Sequence, residues 1–294
     1  MELKDEIVIA EALGGQIRIH AARSTRLVED MRLAHDSAAT CTAALGRTLT
    51  VAALMASDLK RPDEHVRVRI SGNGPIGVIR AEADGAGNVR GCGDHMNLYA
   101  VKENGHLDVG RVVGTDGTLQ VSRDMGLKEP FTGTVMLGSG EIGEDFARYF
   151  AISEQTRSVV SVGVLVNTDS SVKAAGGMII QLLPSAGDDV VDAVEQVASE
   201  MRPMTEYISE GIPAEDLIRR LFPDAEILGH KPLRWHCDCS KEYFAAALSG
   251  LRAAELEEMI REDHGAEAEC HYCRKKYHFT EDELRAILER RKRA

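Results

Sequence analysis

Two closely spaced cysteine pairs near the end of the sequence constrain how that part of the chain can fold. Cys237 and Cys239 form a C-x-C motif, and after thirty intervening residues Cys270 and Cys273 form a C-x-x-C motif. Only six cysteines occur in all 294 residues. Four thiolates presented by two short bends of chain are the ligand set of a tetrahedral Zn²⁺ site. The spacing therefore predicts that these four cysteines bind one zinc ion.

Histidines beside the cysteines leave a second ligand set open. His236 precedes Cys237 and His271 follows Cys270, and an imidazole nitrogen also binds zinc. Four cysteines already fill a tetrahedral shell, so we prefer the all-cysteine site. A filled shell also disfavours a catalytic zinc, which needs an open coordination position.

The segment that carries the cysteines, residues 233–294, has few apolar residues for its size. A core of this size rarely supplies more than about 3–5 kcal/mol, whereas structural zinc contributes on the order of 10 kcal/mol. Loss of the metal should therefore unfold the segment. Because oxidants attack thiolates, the motif also predicts an oxidation-sensitive switch whose exposed apolar surface could bind other proteins.

Charge and hydropathy indicate an acidic protein outside the membrane. The net charge is -12 and the pI is about 5.4, which disfavours general binding to nucleic acids or anionic membranes. The first residues, MELKDEIVIAEALGGQ, lack the basic region of a secretory signal. No run approaches the ~20 apolar residues of a membrane span. We therefore expect a cytoplasmic protein, in a compartment where thiols stay reduced.

Hydrophobic patterns predict an α+β protein in three parts. Residues 1–180 should form an α/β core domain with antiparallel-rich sheets, because their β-rich runs are separated by Gly, Asp and Asn turns. Residues 181–232 contain eleven acids and four bases and should form an acidic helical linker. Residues 233–294 should form a small zinc-binding domain with helices between the cysteine pairs. A capping-box pattern at Thr280 predicts the start of its last helix.

Individual elements can be placed within these parts. Residues 66–70 alternate strictly and predict a strand, and residues 178–183 predict another. An Ala-rich apolar segment over residues 41–59 predicts a helix. In the linker, apolar residues at helical spacing over residues 190–201 predict an amphipathic helix that must pack on another surface.

Two further motifs carry weaker signals. Residues 138–143 match G-x-G-x-x-G, but Glu141 would place a negative charge against a pyrophosphate, and no P-loop motif occurs. A turn that opens a helix is the preferred interpretation. Cys92 lies near His95 and could be a nucleophile, although a small thiol in a turn is the simpler interpretation. No enzyme activity is predicted.

The cysteine motifs resemble those of a known family, and so do several upstream segments. HCDCS at residues 236–240 and CHYCRKKYHF at residues 270–279 resemble the thirty-three-kilodalton heat-shock chaperone family. GSGEIGEDFARYFAISEQ at residues 138–155 and AAGGMIIQLLP at residues 174–184 extend the resemblance. It covers nearly the whole chain, and the cysteine pattern is its most specific part.

The resemblance implies an ATP-independent holdase, a chaperone that holds unfolding client proteins. In that family pattern Cys237, Cys239, Cys270 and Cys273 would bind one zinc in a reduced, inactive state. Oxidation would join Cys237 to Cys239 and Cys270 to Cys273, release zinc and unfold the linker. The active form would be a homodimer that binds clients damaged by oxidative stress.

Two other classes of function remain open from the sequence. A zinc-ribbon-type nucleic-acid-binding protein is suggested by the basic run 274–276 and the basic tail, but residues 233–294 contain twelve bases and thirteen acids. A thiol oxidoreductase could use Cys270 and Cys273, although such a motif normally starts a helix in a βαβ unit. The chaperone is the preferred prediction.

Overall fold

The structure is a computed structural model that describes residues 4–293. The chain divides into two compact units, one ending at His236 and the other beginning at Cys237. The predicted α+β class with antiparallel-rich sheets and a C-terminal cysteine cluster is confirmed. The predicted boundaries at residues 180 and 232 stay predictions.

The first unit contains two sheets, of five and six strands. Their orders are β10-β1-β2-β9-β8 and β11-β5-β4-β3-β6-β7, and every pairing is antiparallel except that of β11 with β5. The strands are β1 (Glu6–Ala12), β2 (Ile17–Arg23), β3 (His65–Gly72), β4 (Val78–Asp84), β5 (Asn88–Gly93), β6 (Gly117–Asp124), β7 (Phe131–Met136), β8 (Ser158–Val166), β9 (Val172–Leu182), β10 (Glu226–Pro232) and β11 (Arg234–Trp235). The helices are α1 (Thr25–His35), α2 (Ala39–Ala56), α3 (Val109–Val113), α4 (Gly143–Ile152), α5 (Asp188–Glu200), α6 (Met204–Ser209) and α7 (Ala214–Leu221).

Helix α2 lies at the centre of this unit, buried on nearly every side. Its small residues permit close packing: a Cβ on Gly46 would lie 2.7 Å from Val28 Cγ1. Thr48 Oγ1 donates within the helix to Ala44 O at 2.9 Å, whereas Thr40 Oγ1 donates outside it to Ala100 O at 2.8 Å. Within the described residues α2 is the one helix long and apolar enough to cross a membrane, and 89% of it is buried inside the protein.

The segment predicted to be a linker packs on the first unit. Its helices α5, α6 and α7 cover one face of the five-stranded sheet and bury apolar side chains against it. The buried residues of this core are Val8, Ala10, Ala12, Ile17, Ile19, Ala21, Met178, Ile180, Val190, Val194, Met204, Tyr207, Ala214, Leu217, Ile218, Phe222 and Ala225. Strand β10 then joins the sheet beside β1, with Glu6 opposite Pro232. The amphipathic helix predicted over residues 190–201 is confirmed as α5 and does pack on a sheet.

The structure contains the predicted elements and further ones that were not predicted. The strands predicted at residues 66–70 and 178–183 are found in β3 and β9, and the helix predicted over residues 41–59 is α2. Strands β1, β2 and β10 were not predicted, because their charged and small residues hide the alternation and β10 pairs with a strand more than two hundred residues away. Helix α6, between two prolines, was also missed.

The second unit contains helices around one two-stranded hairpin. Its elements are α8 (Lys241–Ser249), α9 (Ala253–Glu258), a π-helical turn (Met259–Asp263), β12 (Gly265–Glu269), β13 (Lys276–Thr280) and α10 (Glu281–Arg293). Its buried core consists of Leu256, Ile260, Tyr277, Phe279, Leu284, Ile287 and Leu288. The predicted capping box is confirmed, since Thr280 N donates to Glu283 Oε2 at 2.9 Å and Glu283 N donates to Thr280 Oγ1 at 3.3 Å.

Candidate metal centre

The first cysteine pair lies in the segment that leads into α8. Ser240, directly after Cys239, is the N-cap residue of this helix, and its Oγ accepts a hydrogen bond from Tyr243 N at 3.2 Å. Serine is a favoured N-cap because its oxygen satisfies a free N–H of the first turn. The cap defines where the helix begins, so Cys239 lies directly before the N-cap residue.

The second cysteine pair lies in the turn between β12 and β13. Cys270 N donates to Lys275 O at 3.0 Å, and Arg274 N donates to Cys270 O at 2.8 Å. Arg274 has a φ of 59°, in the left-handed region that tight turns use. The turn curls the chain so that Cys270 and Cys273 present their sulfurs together. The C-x-x-C motif is therefore in a hairpin turn, and not at the helix start that an oxidoreductase would use.

The two turns bring all four sulfurs together. The Sγ atoms of Cys237, Cys239, Cys270 and Cys273 lie within 4.8 Å of one another. Cys237 Sγ is 3.8 Å from Cys270 Sγ, and Cys239 Sγ is 3.3 Å from Cys273 Sγ. A tetrahedral site with metal–sulfur bonds of about 2.3 Å has sulfurs about 3.8 Å apart, so the cluster is the right size for one ion. None of the four cysteines forms a disulfide.

Histidine does not contribute to this cluster. Both His236 and His271 are exposed, and the group of potential ligands found in the described chain contains cysteines alone. Of the two ligand sets left open by the sequence, the geometry therefore favours four cysteines.

Burial and charge set the protonation of the cluster. Cys270 is 5% exposed, and the other three cysteines are half-buried. Burial, together with the adjacent sulfur of Cys239, raises the pKa of the Cys273 thiol. Several thiolates cannot gather so closely without a compensating cation. A divalent ion would supply that positive charge and displace the protons.

Tyr277 connects the cluster to the apolar core, a role that the sequence analysis missed. Its hydroxyl donates a hydrogen bond to Cys239 O at 2.7 Å and lies 3.2 Å from Cys239 Sγ. Its ring lies 5.1 Å from the ring of Phe244. The available signal was the alternation of Tyr277 and Phe279 with polar residues, which places both side chains on the buried face of β13.

The other sequence motifs do not form binding sites. In the loop at residues 138–143, backbone N–H groups that could face a phosphate instead donate to Asp145, from Gly138 at 2.7 Å and from Ser139 at 3.2 Å. Glu141 pairs with Arg47 at 2.9 Å. The prediction that Cys92 lies in a turn was wrong, because it is a buried residue of strand β5.

Known proteins match the chain over nearly its full length. The family model described as Hsp33 protein matches residues 5–280. The 33 kDa chaperonins of Staphylococcus aureus strains Newman and USA300 are each 45% identical over 288 residues, which cover 97% of this chain and 98% of the relative. The crystal structure of the 33 kDa chaperonin (heat shock protein 33 homolog) from Thermotoga maritima matches with a TM-score of 0.91 and 33% identity. That match covers 99% of this chain and 100% of the other.

The fold, the four-cysteine cluster and these relatives define a molecular chaperone. The relatives' names describe a chaperone and not an enzyme. The chain belongs to the Hsp33 family. The resemblance inferred from the cysteine motifs is thereby confirmed.

Proposed function

We propose that the protein is an ATP-independent holdase controlled by oxidation, and that Cys237, Cys239, Cys270 and Cys273 bind one Zn²⁺ in the reduced, inactive state. The observation that carries this proposal is the cluster of four cysteine sulfurs, not joined in disulfides, within 4.8 Å of one another. When bound, zinc supplies a redox-inert tetrahedral cross-link and the positive charge that balances the thiolates. An all-sulfur, tetrahedral donor set suits zinc better than magnesium or calcium, which prefer oxygen ligands.

Oxidation would convert the four ligands into two disulfides. In each pair, one sulfur is oxidised by a peroxide to a sulfenic acid, and the other thiol condenses with it. Each thiolate pair gives up two electrons, and one hydrogen peroxide takes up two protons from solvent and becomes two waters. Cys237 then bonds to Cys239, and Cys270 bonds to Cys273, so no sulfur remains to bind a metal.

The proposed pairing within each motif has a physical consequence. A disulfide between Cys239 and Cys273 would close a loop of more than thirty residues and stabilise the fold by roughly 3–4 kcal/mol, which would replace the metal cross-link. Bonds within each short motif close loops of only a few residues and leave the two turns unconnected. Only the pairing within motifs lets oxidation unfold the unit.

The linker supplies the surface that clients would bind. Residues 181–232 cover an apolar sheet face that includes Ile17, Ile19, Met178 and Ile180. The segment ends with β10, and the short strand β11 then leads to Cys237. If its helices detach, this face and the linker's own apolar side chains become exposed, and large apolar patches bind other proteins.

The expected setting follows from the same proposal. We expect the protein to act in the cytoplasm, where reduced thiols keep the switch off, and to bind unfolded or oxidatively damaged clients, as a homodimer once oxidised. Nucleic acid is not an expected partner. Arg274 pairs with Glu269 at 2.7 Å and Lys276 pairs with Glu267 at 2.7 Å, so the basic run is largely neutralised.

The test is peroxide treatment of the reduced, zinc-loaded protein. We expect about one zinc per chain to be released, four thiols to be lost, and suppression of client aggregation to appear only after treatment. Peptide mapping should find Cys237 joined to Cys239 and Cys270 joined to Cys273. Equal chaperone activity before and after oxidation would refute the switch. Salt-sensitive binding of RNA or DNA by the reduced protein would instead support the zinc-ribbon alternative.

A further inference from the structure

Tyr277 touches both the sulfur cluster and the core of the second unit. It is 8% exposed, and its ring packs beside Phe244 of α8. Its hydroxyl contacts the carbonyl oxygen and the sulfur of Cys239. Its backbone belongs to β13, the strand that follows the turn of Cys270 and Cys273. One side chain thus connects the first cysteine pair to the strand behind the second pair.

The C-x-C motif needs such a restraint. In an extended chain, residues two apart point to the same side and are separated by roughly 6.6 Å. The sulfurs of Cys237 and Cys239 nevertheless lie within 4.8 Å of each other, so their side chains must converge. A hydrogen bond to the Cys239 carbonyl holds this peptide in one orientation. The same bond satisfies the O–H donor of a buried tyrosine, and the second contact of that hydroxyl is also with Cys239, at its sulfur.

We propose that Tyr277 is a positioning residue for the candidate metal centre: its hydroxyl orients Cys239 toward Cys273 and ties the sulfur cluster to the apolar core. This inference rests on the proposed function, in which the four cysteines bind zinc. Partners that orient metal ligands typically contribute 10–100-fold to metal affinity. Without the metal, the backbone at Cys239 would become mobile and its hydrogen bond with Tyr277 would break. The packing of Tyr277 between β13 and α8 would then weaken.

The experiment uses the full-length reduced protein with Tyr277 changed to Phe, which keeps the ring and removes the hydroxyl. Zinc affinity is measured by competition with a chromophoric chelator. We expect Tyr277→Phe to bind zinc 10–100-fold more weakly. The matched control is Tyr243→Phe in α8, a residue that is 66% exposed, and its affinity should stay within twofold of wild type. Unchanged affinity in Tyr277→Phe would overturn the positioning role.

A second measurement separates positioning from general weakening of the core. Cobalt-loaded protein reports ligand geometry through its visible absorption bands, and Tyr277→Phe should shift or weaken them. Phe244→Leu disturbs the same core without touching the hydroxyl. If Phe244→Leu lowers zinc affinity as much as Tyr277→Phe does, and the cobalt spectra of the two variants are the same, the positioning role is wrong. If wild-type protein binds neither metal, the proposed function fails instead, which is a different outcome.

Discussion

The two units of this protein are stabilised by different means. The first unit buries large side chains completely, among them Phe146, Tyr149 and Phe150, and has apolar cores on both faces of its five-stranded sheet. The second unit has one small core of seven buried side chains in its described part, and α8 has none of them. Net stability is a small difference between burial and chain entropy. We therefore expect a unit with so little burial to need a cross-link, such as the proposed metal, to stay folded.

This difference explains how one chemical event can act on part of the chain. In the proposed function, reaction at the four cysteines would remove the metal cross-link, which lies in the second unit. The two other cysteines, Cys41 and Cys92, are buried in the first unit and lie outside the sulfur cluster, where no bound cation would hold them as thiolates. Burial raises the pKa of Cys41, and a protonated thiol reacts slowly with oxidants. Oxidants should therefore unfold the weakly packed second unit and loosen residues 181–232, which lead into it, while residues 1–180 stay folded.

The largest expected effect comes from removing one ligand. Cys239→Ser should lose zinc and with it on the order of 10 kcal/mol of stabilisation of the second unit. Limited proteolysis should then cut within residues 181–294 while residues 1–180 remain intact. Cys92→Ser is the control and should keep its metal and its protease resistance. Uniform protease resistance in Cys239→Ser would show that the second unit stays folded without this ligand and would contradict the difference between the units.

A matched pair of core substitutions tests how much stability each unit can lose before it unfolds. Leu284 and Leu45 are both fully buried, and truncating either to alanine costs about 2–5 kcal/mol. The cost of Leu284→Ala should exceed the free energy of unfolding of the metal-free second unit, so this unit should unfold without metal and bind zinc more weakly. Leu45→Ala should lower the unfolding midpoint of the first unit but leave it folded. Thermal unfolding monitored by circular dichroism, with and without a chelator, measures both. Similar losses of folded structure in the two variants would show that the two units are equally stable, contrary to this prediction.

The linker can be loosened without oxidation. Ile218 of α7 is fully buried against the sheet, and Ile218→Ala should cost about 2–4 kcal/mol of its packing. The reduced variant should then suppress client aggregation partially, because the covered apolar face is exposed more often. The exposed neighbour Arg220 provides the control, and Arg220→Ala should behave as wild type. A reduced Ile218→Ala that stays inactive would argue that clients bind elsewhere.

The units should respond to pH in opposite directions. Burial raises the pKa of Asp5 to about 6, from 3.8. Because the folded pKa is the higher one, Asp5 stabilises the first unit fully below pH 3.8, and this contribution of about 2–3 kcal/mol is lost as the pH rises through 6. The second unit should instead lose metal as the pH falls, since protons compete for the thiolates.

Asp5→Asn isolates the first of these effects. Urea unfolding between pH 4 and 7 should show a flatter pH dependence in this variant than in wild type or in Asp63→Asn, whose side chain is 78% exposed. Asparagine can still accept the hydrogen bond that Leu27 N donates to Asp5 at 2.7 Å. An unchanged pH profile would show that the Asp5 carboxyl does not control it.

The smallest expected effect concerns the last helix. Thr280→Ala removes the hydroxyl that accepts from Glu283 N and should destabilise the second unit by about 1 kcal/mol. Thr25→Ala at the start of α1 is a useful comparison in the first unit. The Thr25 hydroxyl donates to Ala175 O at 3.4 Å, and its loss should leave that unit folded. Chelator-dependent melting curves would resolve the difference.

Sequence reasoning succeeded where the relevant chemistry is local. The four cysteines were assigned to one cluster because each motif places two sulfurs in one bend of chain, and a metal needs both bends. The capping box at Thr280 and helix α5 were predicted for the same reason, since each depends on residues within a few positions. Cys92 was misplaced because its position depends on pairing in β5, where Arg80 lies opposite.

The sequence alone determined the class of fold, the likeness to a chaperone family and the identity of the four sulfurs, because residue type and short spacing carry that information. The tertiary structure decided what lies beside them. It paired β10 with β1, packed the linker helices on an apolar sheet face and placed the Tyr277 hydroxyl against Cys239. These contacts join residues far apart in the chain, and only the packing of the whole fold specifies such partners.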